Sequence, residues 1–475
     1  MKLIRIIAVA AVISAALAAS AQGASRSAYF LDGYTFRHEL NPAFEGEYNY
    51  VSIPGLGDIS TNLHSNAGVD NFLFRTTGSS RYSLTTFMSP YVNADDFLRK
   101  LPGTSRINAD VDAIILGGGF KAFGGFNTVS IGVSADASVK IPKSLFEFAK
   151  RGQTGTATEY DINGIKVRAN AIANISFGHS HKITDAIRVG GKVSFLLGGG
   201  YVRGDIDNLH VRLADDKWLL NGTGILRAAA GSGLVIPTRA ESGKNCPRPA
   251  MRDQVDWDGI DYNSFSISGY GAAIDLGATW TVIPGLELSA AVNDLGFLCW
   301  KDAVIAEMPA TEWSFNGFQN VTFESSQPNY KDRRLKAQFD NLLDDFKDAM
   351  YFRRSATGTT YTEFLTCTAH IGAEYKMPFY DKLSAAFLYS GHYGDCDLWN
   401  EGRVYANVKP AKWFGASVNY AYSTFGHSFG WMLNFHPRGA NVFIGSDHMF
   451  FKITPQGVPV GRASVDLNLG INITF

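Results

Sequence analysis

The chain closes on VDLNLGINITF, residues 465–475. Val465, Leu467, Leu469, Ile471, Ile473 and Phe475 share one face of a β-strand. Asp466, Asn468, Gly470, Asn472 and Thr474 share the other, because strand side chains alternate with period two. A soluble sheet would rarely leave so regular a strand as its last residues, with an aromatic at the terminus. A membrane barrel must have a last strand, which pairs with the first and removes both edges. The alternation therefore predicts the closing strand of a transmembrane antiparallel β-barrel.

The start of the chain predicts the compartment. Lys2 and Arg5 precede an apolar run from Ile6 to Ala18, and Ala19-Ser20-Ala21 fits a small-residue cleavage site. This reads as a secretory signal peptide over 1–21, with a mature chain from about Gln22. No later run of ~18 apolar residues occurs, so no transmembrane helix is expected. Hydrophobic residues make up 45% and aromatics 13%, which excludes disorder. Charged residues are only 18%, below the roughly 25% of soluble domains. A formal charge of −1 gives no reason to expect nucleic acid as a partner. No Pro- or Ser-rich linker divides the chain, so one barrel over 47–475 is expected after an N-terminal segment over 22–46.

Alternation recurs along the chain. Residues 427–435 place Phe429, Trp431, Leu433 and Phe435 outward. Residues 268–282 set Tyr270, Ile274, Leu276 and Trp280 against Gly271, Asp275 and Gly277. Fourteen candidates emerge: 48–63, 110–121, 129–141, 165–177, 187–197, 268–282, 286–292, 365–375, 383–390, 401–408, 413–422, 427–435, 440–448 and 465–475. The first two alternate poorly, and 440–448 is ambiguous in phase. Short connections follow the even strands (KAFGGFN, HSHKITDA, VIPG, KMPFYDK, KPAK, HPRG). Long ones follow strands one, three, five, seven, nine and thirteen, and the one after eleven is short. Short periplasmic turns facing longer extracellular loops are the habit of outer-membrane barrels, so the parity supports fourteen.

Two resemblances follow. GYGAAIDLGATW (269–280), LELSAAVNDLGF (286–297) and ISFGHSHKITDAIRVGGKVSFLLG (175–198) resemble a family of uncharacterised Bacteroidota outer-membrane barrels, a domain of unknown function. A broader likeness is to the long-chain fatty-acid transporter (FadL-type) barrels. Those have fourteen strands and an N-terminal hatch carrying Asn-Pro-Ala; here Asn41-Pro42-Ala43 precedes the first strand. The resemblance implies a hatch at that tripeptide. Read alone, the tripeptide is also an ordinary turn.

Alternation sends Asp136, Lys140, Lys166, Arg168, Arg188, Lys192, Asp275, Glu287, Glu374, Arg403 and Asp466 into the lumen. Such charges must be paired or solvated. They form either a network that stiffens the wall or a polar constriction that selects a solute. Three loop segments, 94–101, 143–150 and 331–350, read as extracellular helices. The last carries Leu335, Phe339, Leu342 and Phe346 on one face. These faces either pack over the barrel mouth or form a platform for an amphipathic ligand or protein. His179 and His181 lack further ligands for a metal, and Asp447-His448 lacks a nucleophile, so no metal, cofactor or enzyme activity is expected. Cys246, Cys299, Cys367 and Cys396 lie in or beside loops and allow up to two disulfides or free thiols.

The expected protein is thus a Gram-negative outer-membrane barrel, contacting outer-membrane lipid. Its C-terminal Phe475 resembles the signal read by the barrel assembly machinery. The leading expectation is passive uptake of a small hydrophobic or amphipathic molecule. The alternative is a closed barrel that docks a surface or secretion protein through the long loops 200–264 and 297–362; an open porin ranks third.

Overall fold

The computed structural model describes residues 25–75, 84–264, 266–315, 337–338, 341, 351–394, 398–449 and 464–475. The signal-peptide segment, the helix-face residues Leu335, Phe339, Leu342 and Phe346, and Cys396 lie outside the described residues.

Fourteen antiparallel strands close into a barrel. They are β1 (Tyr50–Ser52 and Asp58–Ser65), β2 (Thr104–Ala122), β3 (Gly125–Pro142), β4 (Ile165–Lys182), β5 (Ile187–Ala214) and β6 (Gly269–Ile283). Then come β7 (Leu286–Phe315), β8 (Cys367–Lys376), β9 (Leu383–Tyr393), β10 (Leu398–Ala411) and β11 (Phe414–Ser423). The last three are β12 (Gly426–Phe435), β13 (Asn441–Ser446) and β14 (Ser464–Thr474). Each strand pairs with its neighbours in sequence. Both pieces of β1 pair with β14, Val51 with Ile473 and Thr61 with Leu467, and this closes the wall.

Register keeps one face for lipid. An outward row crosses β8 to β12 through Ala373, Phe387, Val404, Tyr420 and Phe429. One residue along, Gly372, Leu388, Arg403, Ala421 and Ser428 form an inward row. A slip of one position would exchange the two, so the pattern fixes the pairing.

Weak alternation marks real irregularity. β1 is interrupted at residues 53–57, where Gly55 takes φ +71°. The ladder survives because the Gly55 N–H donates to Ile115 O (3.0 Å) and the Ile471 N–H to Leu56 O (2.8 Å). β2 carries a bulge between Ile114 and Leu116. β13 was hard to phase because Phe443 points inward among outward Val442 and Ile444.

The short turns lie at one end, where Phe123 and Gly124 both adopt positive φ, as a two-residue hairpin requires. Two expectations are corrected. The connection after strand nine is short, because β9 runs to Tyr393 and β10 starts at Leu398. Much of 200–264 and 297–362 is strand rather than loop. β5 has 28 residues and β7 has 30, where ~9–11 span a bilayer. Above Gly198 and Trp300 their common partner changes from β6 to the segment Trp218–Ala229. The segment Arg353–Phe364 continues β8 upward along β7. One side of the barrel therefore rises far above the other.

At the loop end, helices Ala94–Lys100 and Lys143–Arg151 pack together. Phe97 is buried against Phe87 (ring centroids 4.7 Å) with Phe72 and Phe146 around it. Their apolar faces are occupied by packing. Cys246, Cys299 and Cys367 are free thiols, with Cys299 inside β7 and Cys367 opening β8.

Val404 is half exposed on the outward face, near the middle of β10. Val404→Arg should cost about 2–4 kcal/mol of folding free energy in vesicles, and Val404→Leu almost nothing. Equal urea midpoints for the two would contradict this assignment of the lipid face.

Candidate functional site: a plugged lumen beneath a polar chamber

Residues 25–46 lie inside the barrel. The segment enters near β13, descends to Asp32, climbs back to Glu39, turns at Asn41-Pro42-Ala43 and leaves beside Phe126 towards β1. Its aromatics form its core. Tyr34 and Phe36 pack with Tyr50, Phe126, Met432 and Phe443 of the wall, and Tyr29, Phe30 and Phe44 pack with Leu388 and Tyr405.

The Asn-Pro-Ala turn is seated on missing side chains. A Cβ on Gly190 would lie 2.0 Å from the Pro42 carbonyl oxygen, and one on Gly277 2.0 Å from Asn41 Oδ1. Glycine is the residue that lets the turn lie against the wall here. Asn41 is fully buried and uses both ends of its amide. Its Nδ2 donates to Ala290 O (3.3 Å) and Tyr29 Oη (3.3 Å), and its Oδ1 accepts from the Ala43 N–H (3.0 Å).

Lumenal charges tie the segment down at three levels. At the top, Asp447 accepts from Ser25 Oγ (2.6 Å) and from the N–H groups of Arg26 (2.9 Å) and Ser27 (2.7 Å). Arg26 reaches Glu401 (3.3 Å), which also pairs with Arg403 (2.9 Å). In the middle, Lys192 bridges Glu39 (2.6 Å) and Asp275 (2.7 Å). At the base, Arg188 pairs with Glu45, and Asp32 with Arg37 (2.6 Å) and Lys376 (3.3 Å). Burial would raise the Asp32 carboxyl, but Arg37 and Lys376 outweigh it and hold it at about 2. Burial holds the His38 imidazole down to about 4; Lys192 adds to this and Glu39 opposes it. His38 therefore seats as a neutral ring, Nε2 2.8 Å from Tyr50 Oη.

Above the segment lies a chamber of about 300 Å³. Its wall carries Asp110, Asp112, Asp136, Asn170, His64 and Asp294, with apolar patches from Ile172, Leu196 and Trp399. At the short-turn end, two vestibules of about 280 and 250 Å³ flank Asp32 and Lys376. Tyr29, Phe30, Leu40, Asn41 and Phe44 stand between chamber and vestibules.

The profile described as "Family of unknown function (DUF5723)" matches residues 42–447. The chain belongs to that family. No curated protein matches it. Among solved structures, it is similar to the Ralstonia pickettii toluene transporter TbuX at 10% identity and TM-score 0.39, over 94% of each chain. The P. putida toluene transporter TodX gives 8% identity and TM-score 0.40, over 93% of this chain and 94% of that one. A Pseudomonas aeruginosa FadL homologue gives 9% and 0.36, over 96% and 99%. Likenesses this distant carry no functional inference.

Within this family member the sequence-selected residues separate into groups. Asn41, Pro42 and Ala43 sit on β5 and β6. Arg188, Lys192 and Asp275 bind the plugging segment or stand beside it, whereas Asp136 and Arg168 line the chamber above. Phe475 is exposed on the outer face. His179 and His181 stack at 5.8 Å near a short turn, and His179 faces Asn127 (2.9 Å). Asp447 and His448, set aside as a dyad, turn inward and anchor Arg26. Not selected were Ile114, Phe126, Leu388, Tyr405, Met432 and Phe443. Each is a large apolar or aromatic side chain in the lumen phase of its strand, and together they form the seat of the segment. That mismatch of phase was readable in the sequence.

Two outcomes are expected. Gly190→Val should overpack the seat by about 1–3 kcal/mol and raise trypsin cleavage at Arg37 roughly tenfold, while the barrel keeps its heat-modifiable mobility on gels. Unchanged cleavage would refute the seat. Seating should also weaken on acidification. A released His38 takes up its proton near 6.5 and the seated one near 4, so the released state binds more protons between those values. Stability of the seat is then lost as pH falls through that window, by up to ~3 kcal/mol, while Asp32 stays charged. Cleavage should rise from pH 6.5 to 4, and His38→Asn should flatten the curve.

Proposed function

We propose that this protein is an outer-membrane channel for the passive uptake of small amphipathic solutes, with residues 25–46 as its plug. The observation that carries the reading is the stacking of three spaces along one axis: chamber, plug and vestibules. Shifting a few plug residues would join them, and beside its aromatic packing the plug is held by polar contacts that water can replace. The mixed lining, with carboxylates and amides beside Ile172, Leu196 and Trp399, favours amphipathic over purely hydrophobic cargo. Phe475 serves in this reading as the assembly signal at the short-turn end of β14.

A second reading rests on a different observation. The raised wall of β5, β7 and Trp218–Ala229 would offer a docking face for a surface or secretion protein, with the lumen closed.

Liposome swelling separates the two. The intact chain should admit a small amphipathic solute such as 6-aminohexanoate slowly, and a chain lacking residues 25–46 should admit it faster. A folded, plug-free barrel that passes nothing would sink the channel reading and leave the docking one.

A further inference from the structure

We propose that the chamber above the plug is a binding site for a small organic cation, an amine carried on an apolar body. This names the substrate class of the proposed channel and rests on the chamber being its solute-holding compartment.

The three strong cations of the chamber are committed. Lys192 lies between Glu39 (2.6 Å) and Asp275 (2.7 Å). Arg168 faces Glu363 (3.5 Å) and donates to Thr366 Oγ1 (3.0 Å). Arg26 is held by Glu401 (3.3 Å) and Asp447 (3.6 Å). The carboxylates are more numerous. Asp110 and Asp136 stand opposite each other across β2 and β3, and Asp112 follows one turn of the pleat below. Asp294 enters from β7, where a φ of +61° puts it in a bulge and its N–H donates to Asp275 Oδ1 (2.8 Å). Among the described residues, the carboxylates of Asp112 and Asp294 accept no hydrogen bond and have no cation within ion-pair distance, though Asp294 feels the charge of Lys192 from farther off.

A second observation is independent of the acidic cluster. Asn170 faces Asp136 across β3 and β4 and is only 5% exposed, yet its Oδ1 has no hydrogen-bond partner. His64, 6% exposed, likewise leaves Nδ1 without one. Buried polar atoms are nearly always satisfied, and these two belong to residues that line the same cavity as the two carboxylates, the atoms themselves lying just beneath its surface. The unused groups are thus two carboxylates and an amide oxygen, with an imidazole nitrogen that accepts when the proton sits on Nε2. The carboxylates and the amide oxygen only accept hydrogen bonds, and their complement is a cationic donor. An ammonium has three N–H donors and one positive charge. Ile172, Leu196 and Trp399 supply an apolar surface beside them. Among the described residues no group of three or more His, Cys, Asp or Glu has the spacing to hold a metal ion, which points to an organic cation over a metal. The volume of about 300 Å³ limits the guest to a small molecule.

The test uses the full chain in detergent and three ring compounds of like size: benzylamine (cationic), benzyl alcohol (neutral) and benzoate (anionic). Calorimetric titration at neutral pH should give saturable binding of benzylamine, weaker binding of the alcohol and none of benzoate. Asp112→Asn and, separately, Asp294→Asn should each weaken benzylamine binding roughly tenfold or more, since each removes one charge-assisted contact. Neither should change the heat-modifiable mobility, and two variants guard against one failing to fold. Benzylamine binding no better than benzyl alcohol, or unaffected by both substitutions, would overturn the proposal. So would a response that sodium chloride of equal ionic strength reproduces, since the carboxylates would then hold only counterions. Binding in detergent needs no passage through the plug. Its failure leaves the channel reading standing, and a failure of swelling leaves the amine site standing.

Discussion

Everything in this structure depends on the pairing of β14 with β1. In hydrocarbon an unpaired backbone N–H or C=O costs several kcal/mol, so a sheet survives there only if it has no edge. The wall meets that demand even across the break at residues 53–57, where the Ile471 N–H of β14 donates to Leu56 O on one side and the Gly55 N–H donates to Ile115 O of β2 on the other. Closure then defines an interior screened from lipid. Inside it, charge is tolerated if it finds a partner or water, and the two halves of the lumen use these two solutions differently.

Along the plug, from Asp447 at the top to Arg188 at the base, the wall charges find partners on it. Lys192 with Glu39 and Arg188 with Glu45 join wall to plug, and aromatics fill what remains. In the chamber above it, the carboxylates of Asp112 and Asp294 accept no hydrogen bond from the described residues. The same alternation of inward and outward side chains produces both. What differs is whether a segment of the chain has been laid against it.

The barrel was legible because its signal is repeated. No single strand would have decided it, but one face apolar in strand after strand, with turn lengths in step, leaves few other folds. The errors have local causes. A strand longer than the bilayer needs loses its lipid-facing pattern above the membrane, so β5 and β7 were cut short at 197 and 292 and their upper halves passed for loop. The lumen was half legible. Its charged residues stand out in the polar phase, but which of them meet the plug depends on depth and register. The glycines at 190 and 277 look like any small lumenal residue until Asn41 and Pro42 are placed on them. The apolar residues in the lumen phase, Met432 and Phe443 among them, carried the missing information and were read as noise.

The position of the plug sets an order of events. Residues 25–46 come before β1 in the chain, yet their contacts reach to β13, so that Ser25 bonds to a residue 422 positions away. The seat needs β5, β6, β7, β12 and β13 together, in register and curved. It does not exist while the sheet is an open ribbon. Contacts of such long range are made late, after the loop-closure entropy has been met by the hairpins. The first described segment of this protein is therefore the last to find its place. Until then its five aromatics, Tyr29, Phe30, Tyr34, Phe36 and Phe44, stay exposed on the side of the membrane where the short turns lie.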